Sequence, residues 1–277
     1  MLNIKINQYY LIWTTIIILL RGQKGIGKST LAYHLINFVL SKNEDFPYDI
    51  DHFKIDEKNR SFKLINNGSN PNFFLIDIQA DKKNINIDQI RNIIQDLNKS
   101  SLNNKPKFVL IDNSEYLNKN SINVLLKEIE EPNDNIYFIL IQNQKTLLST
   151  LTSRFIKFNI NLTNKESIFI INKLINENIH HSVNSDFINY YFSPGNIYKM
   201  IQFCGENNID LKNIELNDFI DILIQNNHIK KQKDLRYIFY EVIECLLKKK
   251  SILFNMDYYN YFVKKIEKIN KFCSLKK

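Results

Sequence analysis

Residues Gly22–Thr30 read GQKGIGKST, with glycine, lysine and hydroxyl residues at every fixed position of the pattern G-x-x-x-x-G-K-[ST]. The run ahead of it, Thr15-Ile16-Ile17-Ile18-Leu19-Leu20, reads as a fully buried strand. Behind it, Leu31, Ala32, Leu35, Ile36 and Val39 recur at helical spacing and define one apolar face. Strand, glycine loop and helix together are the context in which this pattern holds phosphate. Gly22, Gly25 and Gly27 allow the backbone to turn tightly and bring N–H groups close to an anion. The start of the following helix adds partial positive charge. Lys28 can reach the terminal phosphates, the Ser29 hydroxyl can ligate Mg2+, and Thr30 completes the run. The expectation is an ATP-type site with Mg2+ as its metal.

The chain has 277 residues, room for two domains and a small third. Its net charge of +8 permits contact with nucleic acid without requiring it, because lysine scattered on helices is commonly a solvated surface. Cys204, Cys245 and Cys273 are far apart and form no C-x-x-C pair, so no disulfide framework and no zinc site is expected. Tyr9 to Leu20 is apolar, but about 12 residues fall short of the roughly 18–20 needed to span a bilayer, and the run leads directly into the glycine loop. A buried strand in a cytoplasmic protein without a membrane anchor is expected.

Further along, Ser41–Asn70 is polar and without clear period. FFLIDI (73–78), KFVLID (107–112) and IYFILI (136–141) read as buried strands, and FIKFNI (155–160) alternates like an edge strand. Asp88-Gln89-Ile90-Arg91, continuing to Ile93, Ile94 and Leu97, reads as a helix capped near Asn86 or Asp88. Ile122, Leu125, Leu126 and Ile129 have amphipathic spacing, with Pro132 closing their helix. Alternating strands and helices after a phosphate loop predict a three-layer α/β sandwich with a parallel sheet. From Asn164 the pattern is helical, broken at Pro194-Gly195, with a long helical tract from Leu211 onward.

Asp112 ends the KFVLID strand, where a carboxylate faces the phosphate loop and holds Mg2+, usually through water. Many phosphate-loop hydrolases place Glu next to this Asp to polarise water; here the residue is Asn113, which cannot accept the proton. Glu115, two positions on, is the remaining candidate for a base, with a solvated loop acid as the plainer alternative.

Leu125-Leu126-Lys127-Glu128-Ile129-Glu130-Glu131-Pro132, then a strand, then the pattern L-x-x-T-x-x-S-R ending in Thr152-Ser153-Arg154-Phe155, resembles the bacterial clamp-loader branch of the AAA+ ATPases. Within that branch it is most similar to the delta-prime group of DNA polymerase III subunits. Gly22–Tyr33, Asn70-Pro71-Asn72 and Ile87–Arg91 add to the match, which extends over about Leu19–Met200. The resemblance implies an AAA+ nucleotide-binding α/β domain over 1–160, a small helical lid over 161–205 and a C-terminal helical collar over 206–277. It implies a hetero-oligomeric ring with delta and gamma/tau subunits, a sliding clamp, and primed DNA reached through the complex. Arg154 becomes a finger reaching the neighbour's nucleotide, with an ion pair as its structural alternative. Phe155 takes the place of the usual Cys and is expected to pack. Gln142 or Asn143 becomes the polar group sensing the γ-phosphate.

The departures count too. The lid turn Ser193-Pro194-Gly195 is followed by Asn196 where active members carry Arg, with Lys199 as a weak substitute. The Ser41–Asn70 stretch has no Cys, so the zinc module of many relatives is missing, and about 15 residues precede the first strand, fewer than the family usually has. The favoured expectation is a stator-type subunit with little ATPase of its own, acting within the polymerase (nucleotidyltransferase) holoenzyme. An active gamma/tau-like ATPase or a small-molecule kinase are the alternatives.

Overall fold

The structure is a computed structural model that describes residues 17–79, 82–99, 105–130, 135–143, 147, 149–189, 192–225 and 233–251. The chain forms two compact units that divide between Asn161 and Leu162.

The first unit is built on five parallel strands: β1 (Ile17–Arg21), β2 (Phe73–Ile76), β3 (Lys107–Ile111), β4 (Ile136–Gln142) and β5 (Ile156–Asn159), in the spatial order β2-β3-β4-β1-β5. Every strand expected from the sequence is present, with the Thr15-Ile16 start of the first run outside the described residues. β3 and most of β4 are fully buried, as continuous apolar runs require when helices cover both faces of a sheet. On one face, Leu19, Val109, Ile111, Phe138 and Leu140 pack with Ile90 and Leu97 of α3 (Ile87–Leu97) and Ile122, Leu125 and Ile129 of α4 (Lys119–Glu130). α1 (Lys28–Leu40) packs against β4. Its deepest stripe is Ala32, Ile36 and Leu40 with Asn37, whereas Leu31, Leu35 and Val39 are only half-buried. Pro132 and Glu131 lie outside the described residues. Among the described residues β5 pairs only with β1, and it leaves Ile156 and Phe158 exposed, as an edge strand does.

The polar stretch is more ordered than its lack of period suggested. It contains α2 (Arg60–Asn66), whose first turn is capped by the Asn59 carboxamide accepting from the Phe62 N–H at 2.8 Å. The Glu44 carboxylate ties the segment down. It accepts from the Ser61 N–H at 2.9 Å and the Ser61 hydroxyl at 2.7 Å, and pairs with Lys105. α3 starts at Asn86, whose N–H donates to Gln89 Oε1 at 3.0 Å.

The second unit is helical: α6 (Asn164–Ile175), α7 (Ile179–Ser182), α8 (Ser185–Ile188), α9 (Pro194–Glu206), α10 (Leu216–Gln225) and α11 (Lys233–Ser251); the four-residue α5 (Ser149–Thr152) belongs to the first unit. One apolar cluster runs from Ile171 to Leu246, with Phe219 edge-on to Phe187 and Phe203. Pro194 starts a helix rather than breaking one: it occupies the first turn of α9, where its missing N–H costs nothing and its fixed φ suits the helix. Among the described residues, no helix is long and apolar enough to cross a membrane.

Candidate functional site

The register sets the site. Arg21 lies opposite Gln142, Ile111 opposite Leu140, and Ile76 opposite Ile111, so the strand ends that follow (Gly22, Asp77, Asp112, Asn143) emerge along one edge. In an open parallel sheet this carboxyl edge is where ligands bind, near the point where chain order reverses. Here β1 sits between β4 and β5, while the chain leaves it for β2 at the far edge.

Gly22 closes the strand with its N–H on the Gln142 carbonyl at 3.3 Å. A Cβ at Gly22 would meet the Ile160 carbonyl oxygen at 2.3 Å, so no larger residue fits. Gly27 has open space but a φ of 92°, a left-handed conformation that makes it the residue leading into α1. Gly25, at φ 85°, completes the turn. Lys28 is buried, and its ammonium donates to the Gly22 and Gln23 carbonyls at 2.9 and 2.6 Å. Burial pulls its pKa down to about 8, against the opposing fields of Asp112 and Glu115. The Ser29 hydroxyl donates to Asp112 Oδ2 at 2.9 Å, joining residues 83 positions apart. Two hard oxygen donors at that spacing suit Mg2+ as direct or water-mediated ligands. Thr30 is exposed in the first turn of α1. No group of three or more His, Cys, Asp or Glu side chains converges as a metal site among the described residues.

Beside this half lies a relay of amides and carboxylates. Asn113 adopts a left-handed φ of 51° and donates from Nδ2 to Asp77 Oδ1 at 2.8 Å. Its Oδ1 accepts from Asn143 Nδ2 at 3.0 Å, and the Asn143 N–H donates to Glu115 Oε2 at 3.2 Å. Asp112 Oδ1 accepts the Asn113 N–H at 2.7 Å. Glu115 is therefore not the solvated loop acid of the sequence reading. The left-handed turn at Asn113 and the short 3-10 helix Ser114–Tyr116 swing it back toward β4. Asp77 was missed altogether, although it ends an apolar strand just as Asp112 does. Of the two amides expected to sense phosphate, Asn143 joins the relay and Gln142 remains in the sheet, buried.

Arg154 lies between α5 and β5. It is exposed, with Nη1 donating to the Thr150 carbonyl at 2.5 Å and Nη2 paired with Glu130 at the end of α4. Neither contact is to the glycine loop. Phe155 is buried in the sheet core, as packing required. In the helical unit, the buried Asn196 donates from Nδ2 to Glu241 Oε2 at 2.8 Å.

The strand order, the glycine loop after β1 and the serine–aspartate bond across the sheet define a phosphate-loop α/β domain of the AAA+ type. The chain belongs to the family described as DNA polymerase III, delta subunit, whose sequence profile matches residues 14–164. It is 31% identical to the DNA polymerase III subunit delta' of Pseudomonas aeruginosa over 137 residues, 49% of this chain and 40% of that one. It is 28% identical to the DNA polymerase III subunit gamma of Buchnera aphidicola (from Schizaphis graminum) over 204 residues, 70% of this chain and 54% of that one. The chain thus spans about half the length of the curated relatives it matches. Among solved structures, a DNA polymerase III gamma subunit-related protein from Thermotoga maritima covers 91% of this chain and 73% of its own at 18% identity, with a TM-score of 0.39.

Proposed function

We propose that this chain is a delta-prime-type, stator-like subunit of a DNA polymerase III clamp loader, in a ring with delta and gamma/tau subunits that loads a sliding clamp onto primed DNA. In this reading the loop Gly22–Thr30 takes the phosphates of ATP, Lys28 leaves its loop carbonyls to meet them, and Ser29 and Asp112 hold Mg2+. Mg2+ supplies charge neutralisation on the phosphate oxygens when bound.

The observation that carries the stator reading is the relay. The residue next to Asp112 is an amide, and its side chain bonds both Asp77 and Asn143. A carboxamide cannot act as general base, which removes a contribution of about 10²–10⁴ in rate. Asn196 supports the same reading, since at the lid position its neutral amide is bonded to Glu241. The lid (161–205) and collar (206–277) divisions belong to this proposal. So does the trans-acting role of Arg154: its planar fork is exposed at the domain surface, with Glu130 holding it in one direction.

A phosphate-release assay on the purified chain, alone and then with its neighbour subunits, tests the proposal. Negligible release alone with nucleotide still bound is the expected result. Turnover of about 1 per second or faster by the chain alone selects the gamma-type ATPase reading instead, with Glu115 and Asp77 as the relay carboxylates able to serve.

A further inference from the structure

Between α1 and α2 the chain forms a short projection that the nucleotide site does not use. Phe46, Ile50 and Phe53 stand on it 50%, 57% and 63% exposed. The projection is held firmly. The Tyr48 hydroxyl meets His34 Nδ1 at 2.9 Å, and the Tyr48 ring packs edge-on against His34 and Phe38 of α1. Asp49 and Lys54 exchange backbone hydrogen bonds at 2.9 and 3.0 Å, and Asn59 Nδ2 donates to the Phe46 carbonyl at 3.1 Å. Phe46 and Phe53 have φ values of 58° and 50°, a left-handed backbone that bulky residues rarely adopt. The fold therefore spends conformational energy on two aromatic rings that remain largely in water, the pattern of strain retained for a function.

Charge identifies what would cover them. From Asp45 to Lys58 five carboxylates stand against two lysines, in a chain whose net charge is +8. An acidic projection repels nucleic acid and anionic lipid and is complementary to a cationic protein surface. The Phe46 ring already has one ammonium over it, Lys58 Nζ at 5.6 Å from the centroid, the kind of contact that a partner's Lys or Arg can also make with an exposed ring. We propose that this projection is a docking surface for a basic protein partner, seating Phe46, Ile50 and Phe53 in an apolar recess rimmed by Lys or Arg. The inference rests on the ring-assembly reading, which supplies neighbouring subunits as the partner.

The test uses the full chain with purified delta and gamma subunits of the same organism, reading assembly affinity, thermal midpoint and ATP binding for each variant. Asn accepts a left-handed φ, so Phe46→Asn with Phe53→Asn should melt at or above the wild-type temperature. It should keep ATP affinity yet assemble about tenfold or more weakly, as loss of aromatic anchors does. Asp45→Lys with Asp51→Lys should weaken assembly most at low salt, the deficit shrinking as salt screens it. Assembly by all variants equal to wild type overturns the inference and leaves the clamp-loader reading standing. So does a lowered midpoint in the Asn variant, which would make the rings structural. Self-association of the chain alone that the variants abolish assigns the surface to a second copy and overturns the stated partner. Failure of the wild-type chain to assemble rejects the ring reading and this inference with it.

Discussion

The two halves of the candidate site lie on one sheet edge and differ in what they hold. The binding half has a buried lysine, a serine hydroxyl and an aspartate already bonded across the sheet. The hydrolytic half presents Asn113 bonded to Asp77 and Asn143, with no carboxylate next to Asp112. If the proposed function holds, the difference teaches that phosphate recognition and phosphate cleavage are separable on this fold. Recognition uses backbone amides, a helix start and one ammonium, whereas cleavage needs a base at one position and cationic charge from outside. In the proposed reading Arg154, exposed and paired with Glu130, is the charge this chain would lend to a neighbour.

The largest effect should come from breaking that loan. Arg154→Ala is expected to leave this chain's fold and ATP affinity unchanged while slowing hydrolysis at the neighbour's site by about 10³, read by single-turnover phosphate release in the assembled complex. Arg154→Lys should rescue poorly because a point charge lacks the fork. An undiminished rate in a fully assembled Arg154→Ala complex reduces Arg154 to a partner of Glu130.

Next in size is an attempt to erase the difference between the halves. Asn113→Glu supplies the missing base and should raise the chain's own ATPase by about 10². It should also lower stability by roughly 1–2 kcal/mol, since Glu tolerates the left-handed backbone less well than Asn. A variant that binds ATP with unchanged rate would show that geometry around Asp77 and Asn143, not the missing acid, blocks turnover.

Lys28→Ala attacks the binding half alone. It removes a charge-assisted phosphate contact worth about 1.5–3 kcal/mol, so ATP affinity in calorimetry should fall tenfold or more. Equal binding by mutant and wild type rejects the site.

The smallest effect is on pH. Burial lowers Lys28 to about 8 in the free chain, and a bound polyanion favours its protonated form. Binding above that pH must therefore take up a proton, and affinity declines as pH rises, by about tenfold one unit above the free pKa. Lys28→Ala should flatten the decline. A wild-type profile that is flat from about pH 7 to 9.5 would mean that the Lys28 charge is not part of recognition.

Much of the binding half was legible beforehand because its determinants are local. A glycine at φ 92°, a lysine one residue later and an apolar strand just upstream are sequence neighbours, and their periodicity and backbone requirements are written in adjacent letters. The same locality made β2, β3, β4 and the Asp112 strand end readable, and the motif around Arg154 recognisable. Glu115 and Asp77 were not legible in this way. Glu115 faces inward only because Asn113 turns left-handed and a short 3-10 helix follows. Asp77 meets Asn113 only because β2 and β3 are paired with Ile76 opposite Ile111.

The ordering of Ser41–Asn70 has a similar origin. It depends on Glu44 finding Ser61 and Lys105, contacts 17 and 61 residues away that leave no period in the sequence. The sequence by itself determined the strand–loop–helix phosphate cradle, the parallel α/β order and the absence of a carboxylate at position 113, since each follows from side-chain type and short-range spacing. Only the tertiary structure decided which polar groups share the strand-end edge, that Arg154 pairs with Glu130, and that two strained phenylalanines stand in water. Register and long-range hydrogen bonding set those relations, and they exist only once the sheet has closed.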